Sequence, residues 1–174
     1  MRKSLVLLAA ALLLAGCQMM RPEGPQAIAE LQPTKGNTAK GTATFTQIGD
    51  RVRVHAVVAG LTPGMEHGFH VHEVGDCSSG DGMSAKGHFN PYGKPHAHFS
   101  TAERHAGDMP ALKADANGRA ELTIDLDVIT VAAGPTSVVG RGLIVHQQPD
   151  DYRTQPTGNA GARLACAVIR RVSN

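Results

Sequence analysis

The sequence predicts an all-β fold, an eight-stranded antiparallel Greek-key barrel or sandwich with two long functional loops. Three observations predict it. Short runs of alternating apolar and polar residues recur along the chain, separated by turn residues. No long segment carries the 3.6-residue period of a helix. Two stretches, residues 75–111 and 147–162, break the rhythm with Gly, Pro and polar residues. Structureless loops of that length in a compact domain are usually functional or disordered. In order, the strands are expected at 27–32, 41–48, 51–59, 66–73, 112–114, 119–126, 142–146 and 163–171. Gly49-Asp50 punctuates the second and third as a hairpin. Leu61-Thr62-Pro63-Gly64 turns the chain before the fourth. Asn117-Gly118 is the strongest hairpin signal and falls between the fifth and sixth. Residues 130–133 allow a short helix. Such a series of short strands fits a sandwich or barrel.

The first residues are expected to lie outside that fold. Arg2 and Lys3 precede an apolar run from Leu5 to Leu14, too short to span a bilayer and suited to a secretory signal. The run ends in Leu14-Ala15-Gly16-Cys17, which resembles a bacterial lipobox. Residues 1–16 are therefore expected to be a lipoprotein signal, and residues 17–26 a lipidated Cys17 followed by a flexible tether containing Pro22, Gly24 and Pro25. Residues 27–174 form the domain. Gln18 follows the cysteine rather than Asp, so by analogy with lipoprotein sorting the expected location is the periplasm of a Gram-negative-type bacterium, anchored to the outer membrane through Cys17. Arg2 and Lys3 account for the whole formal charge of +2, so the remaining chain is balanced. With no basic run and no interleaved aromatics, nothing points to nucleic acid. Apart from Cys17, Cys77 and Cys166 remain, an even pair that reads as one disulfide in an exported protein.

The chemistry begins at Gly68-Phe69-His70-Val71-His72. Side chains alternate along a strand, so His70 and His72 project to one face and make half of a metal site. His88, His96, His98, His105, Asp108 and His146 follow. Nine His against four Phe, two Tyr and no Trp is more imidazole than packing requires. His55 alternates within a strand and reads as an ordinary strand histidine; His67 has the wrong parity and reads as a structural hydrogen-bonding one. Asp76 and Asp81 sit in a Gly-rich loop, where Asp commonly serves turns.

Together with Gly87-His88-Phe89-Asn90-Pro91, His105-Ala106-Gly107-Asp108, the run from Gly140 to His146 and the run from Gly158 to Cys166, these residues resemble the copper–zinc superoxide dismutases of the bacterial periplasmic type. That family is itself a standard example of the sandwich architecture and of electrostatically steered encounter. The blocks come in the family's order and span most of residues 27–171. The resemblance implies dismutation of superoxide to oxygen and hydrogen peroxide, with one copper and one zinc per subunit. It implies copper on His70, His72, His88 and His146, and zinc on His88, His96, His105 and Asp108, with His88 shared. His98 is the alternative to His96, which the spacing of eight residues from His88 favours. Imidazoles suit both ions, and three nitrogens with one carboxylate make a closed zinc set. The resemblance further gives Asp150, with Asp151 as the neighbouring alternative, the task of orienting His70 and His96. It pairs Cys77 with Cys166 and sets Arg163 beside copper to attract superoxide. His88 and Arg163 are thus the residues expected to act in the reaction.

Three departures from eukaryotic members stand out. The segment between Cys77 and His88 is longer, the loop between His146 and Arg163 is shorter and lacks the usual charged steering residues, and the leader is bacterial. Lys86, Lys94 and Arg104 are substitutes for steering, and a homodimer stays open. A non-catalytic copper-binding or chaperone domain on the same fold would lack a copper ligand or the arginine. A zinc hydrolase would need an open coordination position and a general base.

Overall fold

The computed structural model describes residues 24–172. The signal, Cys17 and most of the tether expected from the sequence lie outside the described residues. The described residues form ten antiparallel strands: β1 (Gln26–Pro33), β2 (Lys40–Ile48), β3 (Arg51–Ala59), β4 (Glu66–His67), β5 (Phe69–His72), β6 (Leu112–Lys113), β7 (Ala120–Leu126), β8 (Gly142–His146), β9 (Arg163–Val168) and β10 (Arg170–Arg171). Gln26, placed in the tether by sequence, already pairs with Thr46 in β1.

These strands are the eight expected runs with two of them divided. The run at 66–73 breaks at Gly68, whose carbonyl accepts from His146 N–H and whose N–H donates to Gln148 O. The break lets β4 pair with β6 while β5 pairs with β8. The run at 163–171 breaks at Ile169, which bonds to Gly140 and Arg141 instead of to a strand. Asn117-Gly118 does form its turn, with Gly118 N–H donating to Asp115 O. The strands on either side do not pair with each other, however: β6 joins β4 and β7 joins β3. The short helix at 130–133 is absent. Thr130, β-branched and poor in a helix, bridges to Ser137 and donates its hydroxyl to Gln47.

The main sheet runs β5-β8-β9-β1-β2-β3-β7, with β10 also on β1; β1, β2 and β3 lie side by side, and the Greek-key crossovers bring β9 back to β1 and send β5 and β7 to opposite edges. β1 joins its two parts, pairing with β2 along most of its length and with β9 through Gln32 and Pro33. The small β4–β6 ladder links the chain leading into one edge, β5, to the chain leading into the other, β7. Inward alternation builds the core: Ala27, Ala29 and Leu31 from β1, Ala43 and Phe45 from β2, Val52, Val54, Ala56 and Val58 from β3. Each large side chain so buried stabilises by about 1.5–3 kcal/mol.

This pleat positions the site. On β5, Phe69 and Val71 enter the core, so His70 and His72 face outward beneath the loops. On β8, Leu143 and Val145 enter the core and His146 takes the outer face. The register sets His70 opposite Ile144 and His146 opposite Arg163. The Cys77–Cys166 disulfide then staples the first loop to β9 and packs with Ala85 and Ile144. Its cysteines are 89 residues apart, and closing so long a loop restricts the unfolded chain by about 4–5 kcal/mol in the chain-entropy model. Cys166→Ser is expected to lose most of that stability in denaturant melts, and adding reductant to the native chain should reproduce the loss.

Candidate metal centre

The first loop is anchored beside β5 by backbone bonds, although its sequence has no strand period. Phe89 N–H donates to Val71 O at 2.8 Å, Val71 N–H to Gly107 O at 3.0 Å, and Gly107 N–H to Phe89 O at 2.9 Å. A side chain at Gly107 would overlap the Val71 carbonyl, so glycine is required there. His88 and Asp108 thereby reach isolated bridges with His72 and His70.

Two groups of donors result. His70, His72, His88 and His146 form one; His88, His96, His105 and Asp108 form the other. Every member is buried, and within each group the donor atoms lie within 4.8 Å of one another. His88 belongs to both. His72 donates Nδ1–H to Lys86 O at 2.8 Å and His146 donates Nδ1–H to Gly161 O at 3.3 Å. Their Nε2 atoms therefore carry lone pairs, and these face each other at 3.3 Å. His70 donates Nε2–H to Asp150 Oδ2 at 2.7 Å. Its Nδ1 and His88 Nε2 are buried with no hydrogen-bond partner among the described residues. Four ring nitrogens without protons thus converge, the donor set a cation demands.

In the second group Asp108 Oδ1 lies 2.9 Å from His88 Nδ1, 3.0 Å from His96 Nδ1 and 3.5 Å from His105 Nδ1. Oδ2 is held by the His105 and Ala97 N–H groups. Three nitrogens and one oxygen match the tetrahedral preference of zinc. Asp150 spans the groups, accepting from His70 at Oδ2 and, at 2.9 Å, from His96 Nε2–H at Oδ1. Asp151 instead caps its own turn, accepting from Arg153 and Thr154 N–H. His98 is half-buried, bonded to Ser100 and set edge-on to Tyr152, outside both groups. Asp76 and Asp81 accept from Ser78 and Met83 N–H, as turn residues do. His67 donates Nδ1–H to the His146 carbonyl, and His55 meets Thr123 across the strands.

Proton affinities follow this geometry. Burial, then the neighbouring His70, holds the His88 ring down to about 3. Burial likewise keeps His72 and His146 well below the usual imidazole range, with neighbouring rings adding to the effect. For His96 burial also acts downward, but the bonds to Asp108 and Asp150 outweigh it and raise the ring to about 9. Both carboxyls are pulled far below the ordinary range against the effect of burial, because imidazoles donate to them.

The family model described as copper/zinc superoxide dismutase (SODC) matches residues 39–169. The chain is 40% identical over 149 residues to superoxide dismutase (Cu-Zn) 2 of Aquifex aeolicus, covering 83% of this chain and 86% of that one. It is also 40% identical over 152 residues to the extracellular superoxide dismutase (Cu-Zn) of Brugia pahangi, covering 82% of this chain and 74% of that one. The chain belongs to the copper/zinc superoxide dismutase family. Among solved structures, that of the clock protein EA4 superposes with a TM-score of 0.76 at 41% identity, covering 83% of this chain and 93% of that one.

Several residues supporting this copper/zinc superoxide dismutase centre gave no sequence signal. The carbonyls of Lys86 and Gly161 fix two rings, and any residue type supplies a carbonyl. Gln155 holds the His96 backbone at two points, accepting its N–H and donating to its carbonyl, both at 2.8 Å. Gly158, at φ +67°, leaves room for the bridge: a Cβ there would overlap the Asp150 carboxylate and lie 2.6 Å from His96 Nε2. Arg163 donates to Gly82 O and Lys86 O, both at 2.6 Å, beside His72 and His146. Of the three substitute steering cations, Lys94 pairs with Glu103 and Arg104 with Asp127. Lys86, exposed next to the Arg163 contacts, has no ion pair among the described residues.

The lowered rings fix how metal-free protein responds to acid. Below about pH 6.5 the unfolded chain protonates His72, His88 and His146 while the folded chain resists, so the unfolded state binds more protons and stability falls with pH. His96, protonated in the folded chain throughout this range, opposes the slope near pH 6.5, where the unfolded ring is still half neutral, and adds none well below it. Unfolding titrations of metal-free protein should lose stability from pH 6.5 downward, by up to about 1.4 kcal/mol per pH unit for each ring. A flat profile between pH 6.5 and 5 would contradict the assigned tautomers.

Proposed function

We propose that this chain is a superoxide dismutase that converts superoxide to dioxygen and hydrogen peroxide, with copper held by His70, His72, His88 and His146 and zinc by His88, His96, His105 and Asp108. The observation that carries the reading is the ring of His88, shared between two complete donor sets. When bound, copper supplies one-electron redox chemistry and zinc supplies fixed charge without redox.

The chain supplies the rest. Arg163 stands at the rim of a cavity of about 260 Å³ whose lining includes His72 and His146. Its guanidinium is permanently charged and draws in a small anion. Two protons are consumed per pair of superoxides, and His88 Nε2, buried and unpartnered, is the atom suited to hold one of them. Asp150 keeps His70 and His96 in fixed tautomers and orientations, and Lys86 O and Gly161 O do the same for His72 and His146. Burial of all these rings excludes water and strengthens their mutual electrostatics. A cycle of this kind is set by encounter rather than by a chemical barrier.

Reconstitution tests the reading directly: one copper and one zinc per chain, with rapid loss of superoxide, is the expected result, and uptake of a single metal would overturn it. Arg163→Ala, with copper retained, should lower the rate by roughly tenfold at low ionic strength and flatten its dependence on salt. An unchanged low-salt rate would remove Arg163 from the anion path.

We further place the protein in the periplasm, tethered to the outer membrane by a lipid on Cys17. The apolar leader ending at Gly16 supports this, as does a structural disulfide of the kind oxidising compartments allow. Cys17→Ser is expected to move the protein from the membrane fraction to the soluble fraction on cell lysis, and membrane retention of that variant would refute the anchor.

A further inference from the structure

Met83 is one of the two most exposed large apolar side chains among the described residues, at 58% relative exposure. Nothing in the packing explains it. Its backbone is fixed in a short 3-10 turn, Met83–Ala85, whose Ala85 is buried with Ile144 and Cys166 beside the disulfide. Its N–H donates to Asp81. The side chain, by contrast, lines the same cavity of about 260 Å³ as His72, His146 and Arg163. Met109, for comparison, is wholly buried in the core and performs the usual packing role.

The rim therefore combines two opposed chemistries. Arg163 is held at it by Gly82 O and Lys86 O, the residues flanking the Met83 turn. A fixed cation that favours an anion disfavours an incoming metal cation by the same Coulombic law. Copper must nevertheless reach His72 and His146. A thioether is neutral at every pH, polarisable and soft, and selects copper(I) over copper(II) and zinc(II). We propose that the Met83 thioether is the first capture site for copper(I) on its way to His72 and His146. This inference rests on the four-histidine copper assignment made above.

The transfer is a ligand exchange with no change of oxidation state. A sulfur–copper bond forms as the donor's bond to copper breaks, and ring nitrogens then replace the sulfur. His72 and His146 already present unprotonated Nε2 atoms, because each donates from Nδ1 to a carbonyl, so no proton needs to leave.

The test follows copper uptake, not turnover. Mature zinc-loaded, copper-free protein is mixed anaerobically with a coloured copper(I)–chelator complex, and loss of colour is timed for the native chain and for Met83→Leu. The substitution is expected to slow copper(I) uptake roughly tenfold, a scale on which association rates vary among variants of one site, with copper(II) uptake and the end-point of one copper per chain unchanged. In the native chain, substoichiometric copper(I) should shift the Met83 methyl resonance before the His72 and His146 ring resonances. Equal copper(I) rates in both proteins, equal slowing for both oxidation states, or a Met83 methyl that never moves would each overturn the role of Met83 while leaving the copper site standing. A native end-point other than one copper per chain would overturn the four-histidine assignment and this inference with it.

Discussion

The centre depends on one constraint: ring nitrogens that are buried, close together and deprived of protons. His72 and His146 turn lone pairs toward each other at 3.3 Å, with unpartnered His70 Nδ1 and His88 Nε2 beside them. Such an arrangement is costly in a low-dielectric interior unless a cation occupies its focus. The tautomers are not left to chance. Each ring spends its one N–H on an acceptor outside the cluster, namely Asp150, Lys86 O, Gly161 O or Asp108. The acceptors choose which nitrogen stays bare, so metal preference is written as much in them as in the histidines.

The same logic explains how two acidic residues serve four rings, while carbonyls serve His72 and His146. Asp108 gathers His88, His96 and His105 on one oxygen, while Asp150 engages His70 and His96 on separate oxygens. His96, held between both carboxylates, carries a proton that balances their charge, which is why its affinity rises while that of His88 falls. A metal ion held by His96 would take the place of a ring proton, which would link zinc affinity to pH through this residue. Because Asp150 also touches His70, one carboxylate couples the orientations of rings in the two donor groups.

Much of this was legible in the sequence, and what was not has identifiable causes. Strands β2 and β3 show period-two alternation because one face is core and the other solvent, and their ends fall at the expected residues to within one position. The paired His70 and His72 were readable for the same reason. The division at Gly68 was invisible because it reflects a change of pairing partner, not of local conformation. Asn117-Gly118 encodes its turn faithfully, but turn chemistry does not say which strands pair beyond it. The first loop seemed structureless because its order comes from isolated bridges to β5 and a distant disulfide, neither of which imposes a period. Carbonyl acceptors leave no trace in residue identity at all.

Lys86 shows how closely these levels are joined. Its carbonyl accepts from both His72 Nδ1–H and Arg163 Nη2–H, so a single oxygen with two lone pairs ties a ring of the first donor group to the Arg163 guanidinium. To aim that oxygen the residue adopts φ +66°, a region that costs a non-glycine residue about 1–3 kcal/mol. Three hydrogen bonds offset the cost, the third being Lys86 N–H to Met83 O. Glycine would adopt this backbone without strain, but lysine adds an exposed ammonium near Arg163 that has no ion pair among the described residues. The strained backbone thus serves ligand orientation, arginine placement and local potential at one position, and a change in any of the three propagates to the others through that carbonyl.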